Sequence, residues 1–215
     1  MLALQSPNNI TSEKESTLMK TEIEVKFLNV DHDEVRAKLK EVGAVCVQPM
    51  RLMRRVLIEP EHFRDEKRDA FIRIRDEGHR VTLTFKEFKS ESLTGAEERE
   101  VTVSDFDEVV EIFAEIGLPY RTFQESKRET WQYGEIEVVL DEWPWLDTYI
   151  EIEGPTEEGV KKAAAELGFS WDDAVFGSVD RAYKLQYPEL TGRGVIDEKE
   201  VRFGAPVPEI FGERI

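Results

Sequence analysis

The sequence has one cysteine, three histidines and no apolar run near the roughly 20 residues that span a bilayer. A lone cysteine, Cys46, forms no disulfide within the chain, and we interpret it as a small core residue of a cytoplasmic protein. The cysteine and histidine residues have no spacing typical of a zinc site. The chain also lacks a Walker sequence and the glycine-rich motif of dinucleotide-binding proteins.

Acidic residues outnumber basic ones by 46 to 29, which gives the 215-residue chain a formal net charge of −17. The resulting field repels nucleic acid and anionic membranes, so we expect neither as a partner. An acidic protein still binds an anion where its basic residues are gathered together, or where a divalent cation bridges the charges. Hydrophobic residues make up 40% of the chain, which is enough for the core of one domain.

Composition divides the chain into three segments. Residues 1–20 are polar and aperiodic and are predicted to form a disordered leader. Residues 21–187 carry the periodic patterns of one folded domain, and residues 188–215 are predicted to form an extended C-terminal tail. Within the domain, the patterns predict helices at 31–42, 105–116 and 157–167, a short closing segment at 174–185, and strands at 22–27, 52–58, 70–75, 80–88, 97–103, 126–133, 135–140 and 149–153.

Most of the predicted strands alternate charged or polar residues with apolar ones. Since alternate residues of a strand point to the same side, each strand has one charged and one apolar face. The pattern favours a closed antiparallel barrel with its charged face inside and its apolar face against the helices. A sheet whose charged face meets solvent remains the alternative. The residues that share the charged faces are Glu22, Glu24 and Lys26; Arg73 and Arg75; Thr82, Thr84 and Lys86; Glu98 and Glu100; Ser126 and Arg128; Glu137, Val139 and Asp141; and Glu151 and Glu153.

A cavity lined by both kinds of charge suits a polyphosphate together with divalent cations. Lysine and arginine bind phosphate oxygens, and arginine does so with two donors at once. Carboxylates bind hard cations such as Mg²⁺ or Mn²⁺, which prefer oxygen ligands. If the barrel is closed, its interior therefore has the chemistry of a metal-assisted polyphosphate site.

The segment Glu22-x-Glu24-x-Lys26 resembles the E-x-E-x-K signature of the CYTH superfamily, the triphosphate tunnel metalloenzymes. The resemblance extends over residues 21–187 and implies an α+β fold: an eight-stranded antiparallel β-barrel with helices packed outside. Further residues that match the family follow in its order: Arg73-x-Arg75, Lys86, the Glu98 and Glu100 pair, Arg128, Asp141, Glu151-x-Glu153 and Tyr183.

The resemblance also implies roles for the matching residues and a Mg²⁺ or Mn²⁺ cofactor. Catalytic roles are expected for Lys26, Arg73 and Lys86. Glu98 and Glu100 are expected to orient basic residues or a second metal. The expected phosphate ligands are Lys26, Arg73, Arg75, Lys86 and Arg128. The expected metal ligands, or residues that support them, are Glu22, Glu24, Asp141, Glu151 and Glu153.

The sequence departs from the family pattern at two places. Arg54 and Arg55 stand near positions where many relatives have an acidic residue and a tyrosine, which puts tyrosine-assisted activation of water in doubt. Ser126 stands where some relatives have a lysine, and the adjacent Lys127 is a candidate substitute for it.

The resemblance implies a metal-dependent enzyme that hydrolyses inorganic tripolyphosphate or a nucleoside or other organic triphosphate. One alternative is a class IV adenylyl cyclase, which converts ATP to cyclic AMP and pyrophosphate. A second alternative is a polyphosphate-binding module without turnover. The sequence leaves open the identity of the triphosphate, the preferred metal and the formation of a homodimer.

Overall fold

The computed structural model describes residues 20–21, 23–65, 69–88, 96–192 and 194–214. The strands in this part of the chain are β1 (Lys20–Thr21), β2 (Ile23–Leu28), β3 (Val45–Ile58), β4 (Asp69–Asp76), β5 (Val81–Phe88), β6 (Ala96–Val103), β7 (Thr122–Tyr133), β8 (Ile136–Glu142), β9 (Tyr149–Gly154) and β10 (Glu200–Val201). The helices are α1 (His32–Glu41), α2 (Glu61–Asp65), α3 (Phe106–Glu115), α4 (Glu157–Glu166) and α5 (Val179–Gln186). None of these helices combines the length and the apolar content that crossing a membrane requires.

All ten strands belong to one sheet that curls back on itself. Along the order β1, β6, β5, β4, β3, β7, β8, β9 and β2, every neighbouring pair is antiparallel. β1 and β2 are separated by one residue, yet β1 pairs with β6 and β2 pairs with β9. The two ends of the sheet therefore meet on the same stretch of chain. Eight longer strands surround the interior, and this confirms the predicted α+β fold.

Local sequence accounts for where the main helices begin. The side chain of Asp31 accepts hydrogen bonds from backbone N–H groups in the first turn of α1, and Asp105 does the same for α3. Thr156 caps α4 through its hydroxyl group. Such caps satisfy N–H groups that have no partner inside the helix. The predicted helix limits agree with the structure to within one residue or so.

The apolar faces of the strands pack against helices on the outside of the sheet. α4 lies against β2, β8 and β9, and α3 lies against β4. Between α1, α4 and the sheet, Val25, Leu39, Ile152 and Val160 are completely buried. The apolar half of each alternating strand thus forms the core, and the charged half is left for the concave side of the sheet.

β3 differs from its prediction, because it begins at Val45 instead of Leu52. Its added N-terminal part pairs with β7, and the register shifts between Cys46 and Gln48 and again between Gln48 and Arg51. Each such bulge inserts an extra residue and breaks the two-residue alternation on which the prediction depended. Cys46 lies in this irregular part and is exposed, so its interpretation as a core residue is wrong.

The segment after residue 188, predicted as an extended tail, folds back onto the barrel. Leu190, Val195, Val201 and Phe211 are buried in a cluster with aromatic residues of the domain. β10 pairs in parallel with β7 and lies outside the strand order given above. These residues belong to the same packed unit as the barrel.

Polar contacts hold the same segment in place. Arg121 donates a hydrogen bond to Glu59 on the barrel at 2.8 Å and forms an ion pair with Asp197 of the segment. The indole N–H of Trp145 donates to the backbone carbonyl of Ala205 at 2.7 Å. Docking therefore combines burial of apolar groups with specific hydrogen bonds.

We predict that Phe211→Ala lowers the free energy of unfolding by about 3 to 5 kcal/mol, because it removes a fully buried ring from a packed cluster. The rings of Tyr183, Tyr187 and Trp145 lie 5.1 to 5.7 Å from that of Phe211, centre to centre. Urea denaturation measures the change, with the half-exposed Ile210→Ala as the matched control. A loss below about 1 kcal/mol would show that the segment adds little to the core.

Candidate active site

The charged faces of the strands line a cavity of about 1250 Å³ on the concave side of the sheet. All eight long strands contribute side chains to it, so it is an interior space and not a solvated outer face. Asp141 is not among the lining residues, and Glu22 lies outside the described residues. The other expected site residues meet here: Glu24, Lys26, Arg73, Arg75, Lys86, Glu98, Glu100, Arg128, Glu151 and Glu153.

Among the described residues, six arginines line this cavity, and four of them lie close enough to repel one another: Arg55, Arg73, Arg75 and Arg128. Burial, together with repulsion from Arg73 and Arg75, lowers the pKa of Arg55 to about 9. Burial and the proximity of Arg73 likewise lower the pKa of Arg75 to about 10, and Arg128 adds to the effect on both. The Nε atoms of Arg73 and Arg75 have no hydrogen-bond partner among the described residues. Because buried positive charges that repel each other favour an anion nearby, this cluster is the strongest anion-binding feature of the cavity.

Glu98 and Glu100 flank part of this cluster at a distance. Nη2 of Arg73 lies 3.7 Å from a carboxylate oxygen of each of these glutamates. Nζ of Lys86 lies 3.4 Å from Glu98. These separations exceed those of short charge-assisted hydrogen bonds. The expected role of Glu98 and Glu100 in orienting basic residues or a second metal stays a prediction.

Arg128 is held much more firmly. Its Nε and Nη2 atoms donate to the two carboxylate oxygens of Asp141 at 2.7 and 2.5 Å, and Nη2 also lies 2.8 Å from Glu151. Burial alone would lower the pKa of Arg128, but Asp141 and Glu151 raise it well above the ordinary value. Asp141 is fully buried behind Arg128. The geometry therefore gives Asp141 a direct contact with Arg128. Its expected role as a metal ligand, or as a residue that supports one, stays a prediction.

Lys26 is also saturated with acceptors. Nζ donates to the carbonyl of Gly177 at 2.8 Å and to Glu24, and it lies 3.2 Å from Glu151. Burial lowers the pKa of Lys26, but Glu151 and Glu24 more than offset that effect and raise it. A charged ammonium group accepts no proton, so the raised pKa of Lys26 favours an electrostatic role over that of a general base.

Carboxylates line the side of the cavity that β2, β8 and β9 form. The strand register places Glu153 opposite Glu24 on β2 and opposite Glu137 on β8, and all three line the cavity. Like charges at facing positions destabilise a sheet unless a cation lies between or near them. The described residues hold no group of three or more acidic, histidine or cysteine side chains already arranged around one metal position. The oxygen-only donor set nevertheless fits Mg²⁺ or Mn²⁺ in its chemistry.

Arg55 is a site residue that sequence reasoning missed, although it was noticed as a departure. It lies in the cavity, donates to the side-chain oxygen of Gln124 at 2.9 Å, and stacks 4.2 Å from the ring of Trp143. Its neighbours on the same face of β3, Met53 and Leu57, are apolar, so no charged alternation marked this strand. The only signal was the unusual pair of arginines.

Lys127 does not replace a lysine at position 126. It follows Ser126 in a strand and points to the opposite side of the sheet, where it pairs with Glu142 at 3.0 Å and lies over the ring of Phe203. This substitution was expected from adjacency in the sequence, but neighbouring residues of a strand face opposite sides. That part of the sequence interpretation is wrong.

Glu77, in the turn between β4 and β5, is a further residue that the sequence did not single out. Its carboxylate lies 2.5 Å from Nη2 of Arg75 and 2.9 Å from Nε of Arg80. Burial raises the pKa of Glu77, but Arg75 and Arg80 dominate and bring it down to about 2. Glu77 therefore fixes Arg75 from behind, outside the cavity.

Comparison with known proteins identifies the family of the chain. A family profile described as the CYTH domain matches residues 20–174, which is most of the chain. The chain belongs to the CYTH domain family. No curated protein sequence matches it significantly. Membership in the CYTH family supports a function in the processing of triphosphates.

Solved structures share the CYTH fold at low sequence identity. A protein from Pyrococcus horikoshii is 21% identical, with a TM-score of 0.59 over 71% of this chain and 93% of its own. A proposed adenylate cyclase from Vibrio parahaemolyticus is 13% identical, with a TM-score of 0.62 over 74% and 95%. A proposed adenylyl cyclase from Hippeastrum, described as having a dominant triphosphatase activity, is 15% identical, with a TM-score of 0.50 over 80% and 98%. At these identities the similarity establishes the fold.

We predict that Glu77→Gln lowers the free energy of unfolding by about 2 to 4 kcal/mol near neutral pH, because two arginines lose a buried partner. The pKa of Glu77 falls from 4.5 to about 2 on folding. Its stabilising effect is therefore complete above about pH 5 and disappears as the pH falls towards 2.

Chemical denaturation of the wild type and Glu77→Gln near pH 7 and near pH 3 measures this effect. The difference in unfolding free energy between the two proteins should shrink at the lower pH. Glu111→Gln, at an exposed position of α3, is the control and should differ little from the wild type at either pH. An equal difference at both pH values would contradict the assigned ion pair.

Proposed function

We propose that this protein is a divalent-metal-dependent triphosphatase, which hydrolyses tripolyphosphate or an organic triphosphate to release orthophosphate. The observation that carries the proposal is the crowding of Arg55, Arg73, Arg75 and Arg128 in one buried cavity, where two of them have lowered pKa values. A triphosphate chain supplies several negative charges and many acceptor oxygens within a short length. It therefore matches a cluster of planar, multi-donor cations better than a single carboxylate or phosphate does.

The basic residues divide into two groups by how tightly their donors are held. The Nε atoms of Arg73 and Arg75 have no hydrogen-bond partner among the described residues, although Nη2 of Arg75 also contacts Glu77, so both arginines are proposed as direct phosphate ligands. Lys86, which lines the same cavity, is proposed as a phosphate ligand on the family resemblance. Arg128 and Lys26 already contact carboxylates at short distances, so they contribute mainly a fixed positive charge beside the phosphates. Such preorganised charge stabilises the transition state of phosphoryl transfer without rearrangement during the reaction.

Mg²⁺ or Mn²⁺ is the proposed cofactor. Glu24, Glu151 and Glu153 would hold it, and Glu22 of the same signature is a further candidate. When bound, the metal supplies positive charge against the phosphate oxygens and binds and orients the attacking water. Asp141 is proposed to act indirectly, by orienting Arg128 and without contacting the metal or the substrate. Membership in the CYTH family supports these roles but does not distinguish hydrolysis from cyclisation.

A single incubation series tests the proposal: tripolyphosphate, ATP and thiamine triphosphate, each with Mg²⁺, with Mn²⁺ and with excess EDTA. We expect orthophosphate in the presence of metal and almost none with EDTA, because a triphosphate adds about four negative charges to a cavity that already holds carboxylates. Cyclic AMP and pyrophosphate from ATP would instead indicate an adenylyl cyclase. Tight binding without any product would indicate a binding module, and full activity in EDTA would refute the role of the metal.

Arg73→Ala and Glu153→Gln distinguish a proposed phosphate ligand from a proposed metal ligand. Arg73→Ala should lower kcat/KM by about 30-fold to 1000-fold at every metal concentration, because phosphate contacts worth about 2 to 4 kcal/mol are lost. Glu153→Gln should raise the metal concentration needed for half-maximal activity, and excess Mn²⁺ should restore part of the rate.

Metal titrations of turnover measure both variants, with circular dichroism as the check on folding. Arg99→Ala and Glu158→Gln, at exposed positions of β6 and α4, are the matched controls and should behave like the wild type. Rescue of Arg73→Ala by metal, or wild-type behaviour of Glu153→Gln, would show that the proposed assignment of phosphate and metal ligands is wrong.

A further inference from the structure

One wall of the cavity comes from a part of the chain that the CYTH profile does not match. The match ends at residue 174, yet Gly192, Val195 and Ile196 line the cavity together with Asp180 from α5. Trp143, from the loop after β8, completes this region. We call the part of the cavity defined by Trp143, Asp180, Val195 and Ile196 the side compartment.

The side compartment is a firmly built structure. Val195 and Ile196 are 1% and 6% exposed, and the turn that carries them is fixed by the ion pair between Arg121 and Asp197. The backbone carbonyl of Ile196 also accepts a hydrogen bond from Nε of Arg121 at 3.3 Å. Because both the apolar and the polar sides of this turn are anchored, its aliphatic side chains form a fixed surface of the cavity.

Two buried polar atoms of the side compartment have no hydrogen-bond partner among the described residues. They are the indole nitrogen of Trp143, whose side chain is 4% exposed, and one carboxylate oxygen of Asp180. Burial raises the pKa of Asp180, against the lowering effects of Arg55 and of the backbone N–H of Val195. Leaving such groups unpaired in a buried position is unfavourable, so a bound molecule that pairs with them is stabilised by those contacts.

Arg55 connects the side compartment to the phosphate-binding cluster. Its guanidinium group lies 4.2 Å from the centre of the Trp143 ring and acts electrostatically on Asp180. The same group repels Arg73, Arg75 and Arg128. The side compartment and the arginine cluster therefore adjoin each other at Arg55, within reach of one ligand whose phosphates contact the cluster.

We propose that the side compartment binds the organic group of an organic triphosphate, and that this group, beyond the triphosphate chain, determines the specificity of the enzyme. This inference rests on the proposed triphosphatase function. The occupant that fits is a planar heterocycle with an N–H donor for Asp180, an acceptor for the indole N–H of Trp143, and an apolar face for Ile196. Inorganic tripolyphosphate has no N–H donor and no apolar face, and its charge is repelled by the carboxylate of Asp180.

The test compares kcat/KM for tripolyphosphate with kcat/KM for ATP, GTP, CTP, UTP and thiamine triphosphate. The wild type should prefer at least one organic triphosphate over tripolyphosphate by about tenfold or more, the discrimination expected from a site that hydrogen-bonds its substrate. No orthophosphate from any of the six substrates would refute the proposed function itself. Equal values for all six would leave that function intact and overturn the side compartment.

Two variants test whether the side compartment causes the preference for an organic triphosphate. Asp180→Asn keeps the size of the side chain but removes its charge, so kcat/KM for the preferred organic substrate should fall by about tenfold, while that for tripolyphosphate stays constant or rises. Ile196→Phe fills the compartment and should also lower the value for the organic substrate alone. Asp173→Asn and Val207→Phe, at exposed positions, are the matched controls.

Thermal unfolding of all four variants accompanies the assay. If Ile196→Phe lowers the melting temperature strongly, Asp180→Asn decides the question, because it introduces no additional volume. An equal loss for tripolyphosphate and for the organic substrate in Asp180→Asn would show that the wall supports the fold or limits the length of a phosphate chain. With either explanation, an equal loss for the two substrates would overturn the proposed recognition of an organic group.

Discussion

The structure depends on a balance of buried charges inside a curled sheet. At the side formed by β2, β8 and β9, Lys26 and Arg128 each contact two carboxylates, so positive charge is fully compensated there. At the side formed by β3 and β4, burial and repulsion from other arginines lower the pKa of Arg55, and they lower that of Arg75 in spite of its ion pair with Glu77. We propose that the compensated side stabilises the fold and that the side with the lowered arginine pKa values attracts the anion. The separation of these two regions, more than the number of charges, makes the cavity a binding site.

Closure of the sheet and organisation of the site involve the same segments. β2 brings Glu24 and Lys26 to β9, while the main chain of Lys26 pairs with Val175 and its ammonium group donates to the carbonyl of Gly177. The charged signature therefore also ties the segment that leads into α5 to the barrel. A change at Lys26 would alter packing near the side compartment as well as the charge of the cavity. This coupling explains why the most buried lysine of the described chain lies beside the substrate site and not on the surface.

Period-two alternation was enough to predict the long strands, their charged faces and the helices outside them, because these features depend on residues close in sequence. The prediction failed where a bulge interrupts the alternation, or where a residue's position depends on contacts with segments distant in sequence. Bulges hid the first half of β3, and apolar neighbours on the same face hid Arg55. Lys127 was misjudged because adjacency in sequence was given more weight than strand geometry. The buried position of Phe211 follows from contacts with aromatic residues far away in sequence, and no local periodicity records such contacts.

The net charge of −17 conflicts with the binding of a triphosphate, and the cavity resolves this conflict by its location. Surface carboxylates repel an approaching anion, but salt screens charges at the surface over about 8 Å under physiological conditions. Inside the cavity, where water is partly excluded, the arginine cluster acts at short range and with less screening. A triphosphate that arrives with a divalent cation carries less charge past the acidic surface, and in the proposed function the same cation would compensate the carboxylates of β2 and β9. The acidic exterior therefore favours the metal complex over the free polyanion.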